Sequence, residues 1–222
     1  MKPSPSYRSG LGPQGLAALA DAPAQSDADS RSAAPLRIIL IRHGRPAIAL
    51  SPRTGHHGFR DYIGAYEEAG LDSQNLPPQA LQDLVKELAV LHTSGKRRAH
   101  ESAARLAPHA ELIADPLFVE APLASPRIPL LKMTVPKWAV VSRLLWHLGF
   151  SPRIEGYRRV KQRVRAAVDI LIHSAQTSRG TAAVVAHGYF NFLLGRELRR
   201  QGFHRTGSHR AEYWNAVVYE KN

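Results

Sequence analysis

Apolar positions along this chain follow two rhythms. Short, unbroken, β-branched runs stop at turns, and longer stretches space their apolar residues three or four apart. The first rhythm predicts strands buried on both faces, and the second predicts amphipathic helices. A strand is expected over 36–41, where Ile38, Ile39, Leu40 and Ile41 run up to Arg42, His43 and Gly44. After a loop with Pro46, Pro52, Gly55 and Gly58, a helix is expected over 59–69, with Tyr62, Ile63 and Tyr66 on one side. Pro77-Pro78 opens another helix through Leu81, Leu84, Val85 and Leu88, because proline suits a first helical turn. A short strand at 89–92 leads through a turn into a helix within "TSGKRRAHESAARLA", and a strand at 111–114 precedes the proline-loaded "DPLFVEAPLASPRIP". Helices follow at about 137–148 and 155–175. A strand at 181–186 then runs into His187-Gly188 and a helix to about 200, and "YWNAVVYE" closes the chain as a last strand.

Strands alternating with helices imply an α/β fold with a largely parallel sheet. Ligands of such sheets bind beyond the carboxyl ends of the strands. His43 and His187 both stand at such ends, each followed by a glycine that lets the chain turn sharply and a ligand approach. Residues 1–35 are rich in Ser, Pro, Ala, Gly and Asp and read as a disordered N-terminal tail. Residues 36–222 then make one domain, and no internal repeat divides them.

Composition narrows the classes. The 222 residues include no cysteine, which excludes disulfides and thiolate metal sites and fits a reducing compartment. No apolar stretch approaches the roughly 20 residues of a membrane span, and no secretory signal core follows Lys2 and Arg8. A cytoplasmic protein without a membrane partner is expected. The formal net charge is +12, and it belongs to 36–222, since Lys2, Arg8 and Arg31 balance Asp21, Asp27 and Asp29. That field attracts anions of any kind. No aromatic-and-basic RNA motif is present, so no specific nucleic-acid partner is expected. Oligomeric state is left open.

A histidine at a strand end serves as core residue, metal ligand or nucleophile. Arg42 beside His43 would repel a cation, and no carboxylate cluster matches it, so no metal is expected. His56-His57 lacks partners at ligand spacing and reads as an exposed loop pair. "LIRHG" resembles the first signature of the histidine phosphatase superfamily, the phosphoglycerate mutase-like fold. "TSGKRRAHESA" is similar to that family's second motif, with Ser94, Arg98, Ser102 and Ala103 in its positions. "FVEAPL" resembles the segment carrying the family's acidic residue, here Glu120, and "VVAHG" matches the late histidine motif, here His187. Four motifs in order, over 36–220, make the resemblance specific.

The resemblance implies a three-layer α/β/α domain and a metal-independent, cofactor-free phosphatase of the histidine acid phosphatase-like, phosphoric monoester hydrolase kind. His43 would be the nucleophile and form a phosphohistidine, neutral because flanking arginines disfavour its protonated form. Arg42, Arg98 and His187 would surround the phosphoryl oxygens at the Gly44 turn, and Glu120 would act as proton donor and then base. Arg97 competes with Arg98, and only one can point inward. Glu101 and Asp115 are the other nearby acids. The substrate would be a phosphorylated small molecule or a phosphoprotein.

Departures from the family pattern matter too. Many members carry an acidic residue or glutamine after Arg-His-Gly and an asparagine further on that touches phosphate. Here Arg45-Pro46 and Ala49 stand there, leaving Ser51 or Asn191 as substitutes. The segment after Glu120 lacks mutase patterns, which favours a phosphatase over a phosphoglycerate mutase-type phosphotransferase. A phospho-ligand-binding module without turnover is the rival outside enzymes. Two further features take plain structural readings. "PKWAVVSRLLWHLGF" is expected to pack on the sheet or cap the pocket rather than lie on a membrane, and the basic run 153–165 to be a solvated helix face.

Overall fold

A computed structural model describes residues 35–49 and 53–222. The expected tail, but for Pro35, and Ser51 lie outside the described residues. The strands are β1 (Leu36–Arg42), β2 (Val90–Ser94), β3 (Glu111–Asp115), β4 (Thr181–Ala186), β5 (His204–Thr206) and β6 (Ala216–Lys221). The helices are α1 (His56–Glu68), α2 (Gln79–Val85), α3 (Arg97–Leu106), α4 (Val135–His147), α5 (Tyr157–Thr177) and α6 (Gly188–Arg200). Among the described residues the strands form one sheet in the order β3-β2-β4-β1-β6-β5, and its first four strands are parallel. β6 and β5 add an antiparallel edge.

The unbroken apolar runs have their cause in this topology. Ile38, Leu40, Val184 and Ala186 face a core with α5 and α6, whereas Ile39, Ile41, Ala183 and Val185 face one with α2 and α3. A strand covered on both faces has no polar position to spare. The connections after β1 and β2 run to the α2/α3 face, and those after β3 and β4 run to the α5/α6 face. Neighbouring β1 and β4 therefore send their chains to opposite sides, and a crevice opens between their carboxyl ends. A third cluster, with Phe59 of α1 stacked on Trp138 of α4 at 5.6 Å, walls that crevice.

The boundaries differ from the periodic pattern at several points. His56 and His57 are not loop residues but open α1, their rings 4.0 Å apart. α2 stops at Val85, and Leu88 instead closes a turn through its N–H to the Val85 carbonyl (3.0 Å). β6 starts at Ala216 rather than 213, because Trp214 takes φ 62° and interrupts the extended chain. β5 was not expected: its three residues are all exposed and carry no apolar signal. In the basic run, Arg163 is not solvated. It pairs with Glu155 at 2.8 Å and donates to the Leu117 (2.9 Å) and Val119 (2.7 Å) carbonyls, tying down the segment before Glu120.

Candidate active site

The turn after β1 puts His43 below the surface, 1% exposed. Its Nδ1 lies 2.7 Å from the Gly44 carbonyl, which can only accept, so Nδ1 carries the proton. Nε2 therefore carries the lone pair, with the Tyr66 hydroxyl 3.4 Å away. Gly44 is forced by space. A Cβ there would come within 2.5 Å of both Leu71 Cδ1 and Trp214 Cζ2. Its N–H donates to Ser102 Oγ (2.9 Å), and Ser102 donates to the Arg98 carbonyl (2.6 Å), so the second motif braces the first.

β4 delivers His187 beside His43, ring centroids 5.1 Å apart. Arginine only donates, so His187 Nδ1 accepts from Arg98 (3.4 Å) and Nε2 donates to Ser94 Oγ (2.8 Å). The choice between the two arginines is settled by helix geometry. Arg98 is fully buried, with its guanidinium 4.3 Å over the Tyr66 ring and donating to the Tyr66 carbonyl (2.8 Å). Arg97 points out to Glu101 at 2.7 Å. Arg42 donates to the Ala211 carbonyl and lies 4.4 Å over the Tyr213 ring. Two buried guanidinium N–H groups, Arg42 Nε and Arg98 Nε, have no partner among the described residues. Orphaned buried donors cost roughly 1–3 kcal/mol each, and an anion beside His43 would relieve that cost.

Glu120 reaches the site from the proline-loaded segment. Its carboxylate accepts from the N–H groups of Ala121 (2.9 Å), Phe190 (2.9 Å) and Tyr189 (3.3 Å), so it also caps the N-terminus of α6. It shares with Arg42 and Tyr66 a cleft of about 450 Å³. The other acids are engaged elsewhere. Glu101 accepts from the Leu71 N–H (2.6 Å) and from Arg97, and Asp115 accepts from the Leu117 N–H (2.7 Å). Among the described residues no group of three acidic or histidine side chains is placed to hold a metal ion, and no helix is long and apolar enough to cross a membrane.

The family description "Histidine phosphatase superfamily (branch 1)" matches residues 38–220. The chain belongs to this superfamily. No curated protein sequence matches it. Similar solved structures include a mycobacterial glucosyl-3-phosphoglycerate phosphatase in complex with VO3, at 17% identity and TM-score 0.55, covering 82% of this chain and 90% of that one. A phosphoglycerate mutase from Bacillus anthracis is similar at 13% identity and TM-score 0.52, covering 85% and 91%. The product of an open reading frame of Mycobacterium tuberculosis is similar at 17% identity and TM-score 0.51, covering 82% and 90%. At these identities the likeness is one of fold, that of phosphoglycerate mutase-like proteins.

Within this histidine phosphatase frame several cleft residues received no functional role from the sequence. Tyr66, Tyr213, Glu67 and Arg143 all line the cleft. Glu67 pairs with Lys96 (2.6 Å) and stands 3.6 Å from Arg98. No spacing signal marks them, because a tyrosine at helical period reads as part of a core face. Asn191 is buried, and its side-chain oxygen has no partner among the described residues, but it does not line the cleft.

Burial and then Arg98 lower the His43 pKa to about 3, and burial, His43 and Arg98 hold His187 well below its ordinary value. Burial pushes the Glu120 pKa up, against Arg143 and the backbone N–H groups. One consequence concerns stability. In the unfolded chain a histidine takes a proton near 6.5, whereas folded His43 stays neutral down to about 3. As pH falls through that window the unfolded state binds more protons, so stability falls, by about 1.4 kcal/mol per pH unit for each such histidine. Denaturant midpoints measured between pH 7 and 4.5 should therefore drop more steeply for the native chain than for His43→Asn. Parallel profiles for the two proteins would remove His43 from this linkage.

Proposed function

We propose that the protein is a metal-independent phosphatase that cleaves phosphomonoesters through a phosphohistidine on His43. The observation that carries this reading is a neutral, buried Nε2 beside two arginines, Arg98 and Arg42, whose charges add to burial in keeping the imidazole unprotonated. A nucleophile with a depressed pKa is ready at any ordinary pH, and two fixed guanidinium groups supply the charge that phosphoryl transfer needs. In the first step His43 Nε2 attacks phosphorus as the ester P–O bond breaks, and Glu120 gives its proton to the leaving oxygen. In the second, water attacks phosphorus, Glu120 takes the water's proton, the P–N bond breaks and its electron pair returns to Nε2. His187 and the arginines hold the oxygens throughout, at a turn shaped by Gly44.

The raised pKa of Glu120 suits a group that must hold a proton before the first step. Hydrolysis of an alkyl phosphate should therefore decline as pH rises through the Glu120 pKa, with no acid limb from His43 until about pH 3. A cleft of about 450 Å³ is of small-molecule size, which favours a phosphorylated small molecule over a phosphoprotein, in a cytoplasmic setting consistent with the absence of cysteine. The test is trapping in alkaline SDS with a ³²P-labelled phosphomonoester in the presence of a chelator. Label bound to His43 in an acid-labile, alkali-stable linkage, followed by release of inorganic phosphate, is the expected result. Tight binding with neither label nor phosphate release would leave a phospho-ligand-binding module. Label passing to a second organic acceptor in place of water would mark a phosphotransferase.

A further inference from the structure

Beyond the phosphate pocket, the wall of the cleft has a character of its own. Phe59, Tyr62 and Ile63 from α1 face Val135, Ala139 and Val140 from α4 across it. The Tyr62 phenol, its pKa pushed up to about 12 by burial, stays neutral. The charged side chains of the cleft are already committed. Glu67 is held by Lys96 at 2.6 Å, and Glu120 by three backbone N–H groups. Arg143 donates to the Ala121 (3.0 Å) and Pro122 (3.2 Å) carbonyls, with its guanidinium 4.1 Å over the Tyr189 ring. Arg42 also lines the cleft, and it belongs to the phosphate. Among the described residues that α1 and α4 give to the cleft, Arg143 is the one cation, and its charge faces Glu120 rather than the apolar stretch of Phe59, Tyr62, Ile63, Val135, Ala139 and Val140.

The apolar surface does not stop at the mouth. Val140 both lines the cleft and is 60% exposed, Leu144 (60%) follows one turn later on the same side of α4, and Leu148 (84%) stands four residues on, just past the helix end. A helix of a monomeric soluble domain normally turns such a side toward its core. Here it prolongs the cleft wall outward.

Resting on the phosphatase reading, we propose that the substrates are phosphomonoesters of apolar alcohols. The hydrocarbon part lies between α1 and α4 and leaves along the Val140–Leu144–Leu148 stripe, with the phosphate at His43. Burying hydrocarbon against this wall discriminates by chain length, whereas a sugar or glycerate would leave its hydroxyl or carboxylate groups unpaired there.

The test is a series of n-alkyl phosphates from ethyl to decyl, alongside glucose 6-phosphate, 3-phosphoglycerate and p-nitrophenyl phosphate. The value of kcat/KM should rise about 3- to 4-fold per methylene while the chain is within the cleft and flatten beyond it. The polar esters should fall at least about 100-fold below octyl phosphate. The exposed substitution Val140→Asp should cut the octyl-to-ethyl ratio at least about 10-fold. Long-chain ester dispersed as monomer is compared with the same ester in phosphatidylcholine vesicles. Faster turnover of monomer identifies a soluble alkyl phosphate as the source, and faster turnover in vesicles identifies a lipid phosphate, either within the proposed class. A flat chain-length profile, or a polar ester as the best substrate, would overturn the proposal while leaving the phosphatase reading in place. No turnover of any ester, p-nitrophenyl phosphate included, and no labelled His43 would instead sink the phosphatase reading itself.

Discussion

Replacing His43 by alanine is expected to lower kcat by at least about 10⁴-fold on every phosphomonoester, with no labelled enzyme after quenching in alkaline SDS. Covalent catalysis divides one hard displacement into two easier ones, and losing the nucleophile of such a unit removes both. Nothing near His43 can take its place. His187 has Nε2 on Ser94 and Nδ1 on Arg98, and Tyr66 carries a phenol whose pKa burial has raised. The fold should survive, since the turn is braced by the Gly44 N–H on Ser102 Oγ (2.9 Å) and by packing of Leu71 and Trp214, not by the imidazole. Circular dichroism and the denaturant midpoint at pH 7 check that point. Residual turnover within 10-fold of the native enzyme would show that the phosphoryl group never resides on His43.

Glu120→Gln is expected to slow hydrolysis of an alkyl phosphate by about 10²- to 10⁴-fold, the usual worth of general acid catalysis. An activated aryl phosphate, whose leaving group departs without a proton, should lose far less in single-turnover phosphorylation of His43. The contrast is needed because Glu120 also caps α6. Glutamine can keep its acceptor oxygen on the Ala121 and Phe190 N–H groups but then turns its amide toward the Tyr189 N–H, so some stability is lost, on the order of 1–3 kcal/mol. A purely structural cap would depress both substrates alike through the shared fold. Equal slowing of the two would therefore return Glu120 to a structural role. Glu101 and Asp115 would not inherit the chemistry, because neither lines the cleft that Glu120 shares with Arg42 and Tyr66.

Much of this protein is written in local pattern. The unbroken run Ile38–Ile41 and its partner Ala182–Ala186 announce strands covered on both faces, and the alternation of strand and helix announces the parallel sheet. The order of "LIRHG", "TSGKRRAHESA", "FVEAPL" and "VVAHG" along the chain points to the superfamily before any coordinate is known. Those features depend on neighbours in sequence, or on chemistry that tolerates few residue types. What long-range contacts decide is different in kind. That Arg98 is buried and Arg97 exposed follows from the angle at which α3 docks on the sheet. That Trp214 leaves the extended region and fills the space beside Gly44 depends on a segment about 170 residues away. Glu120 becomes an α6 cap because two arginines, Arg143 and Arg163, pin the backbone around it. The apolar cleft belongs to neither α1 nor α4, each of which alone looks like a helix with an ordinary core face. It exists because the two helices meet across the open end of a sheet, where burial on one side is complete and on the other is left for a ligand.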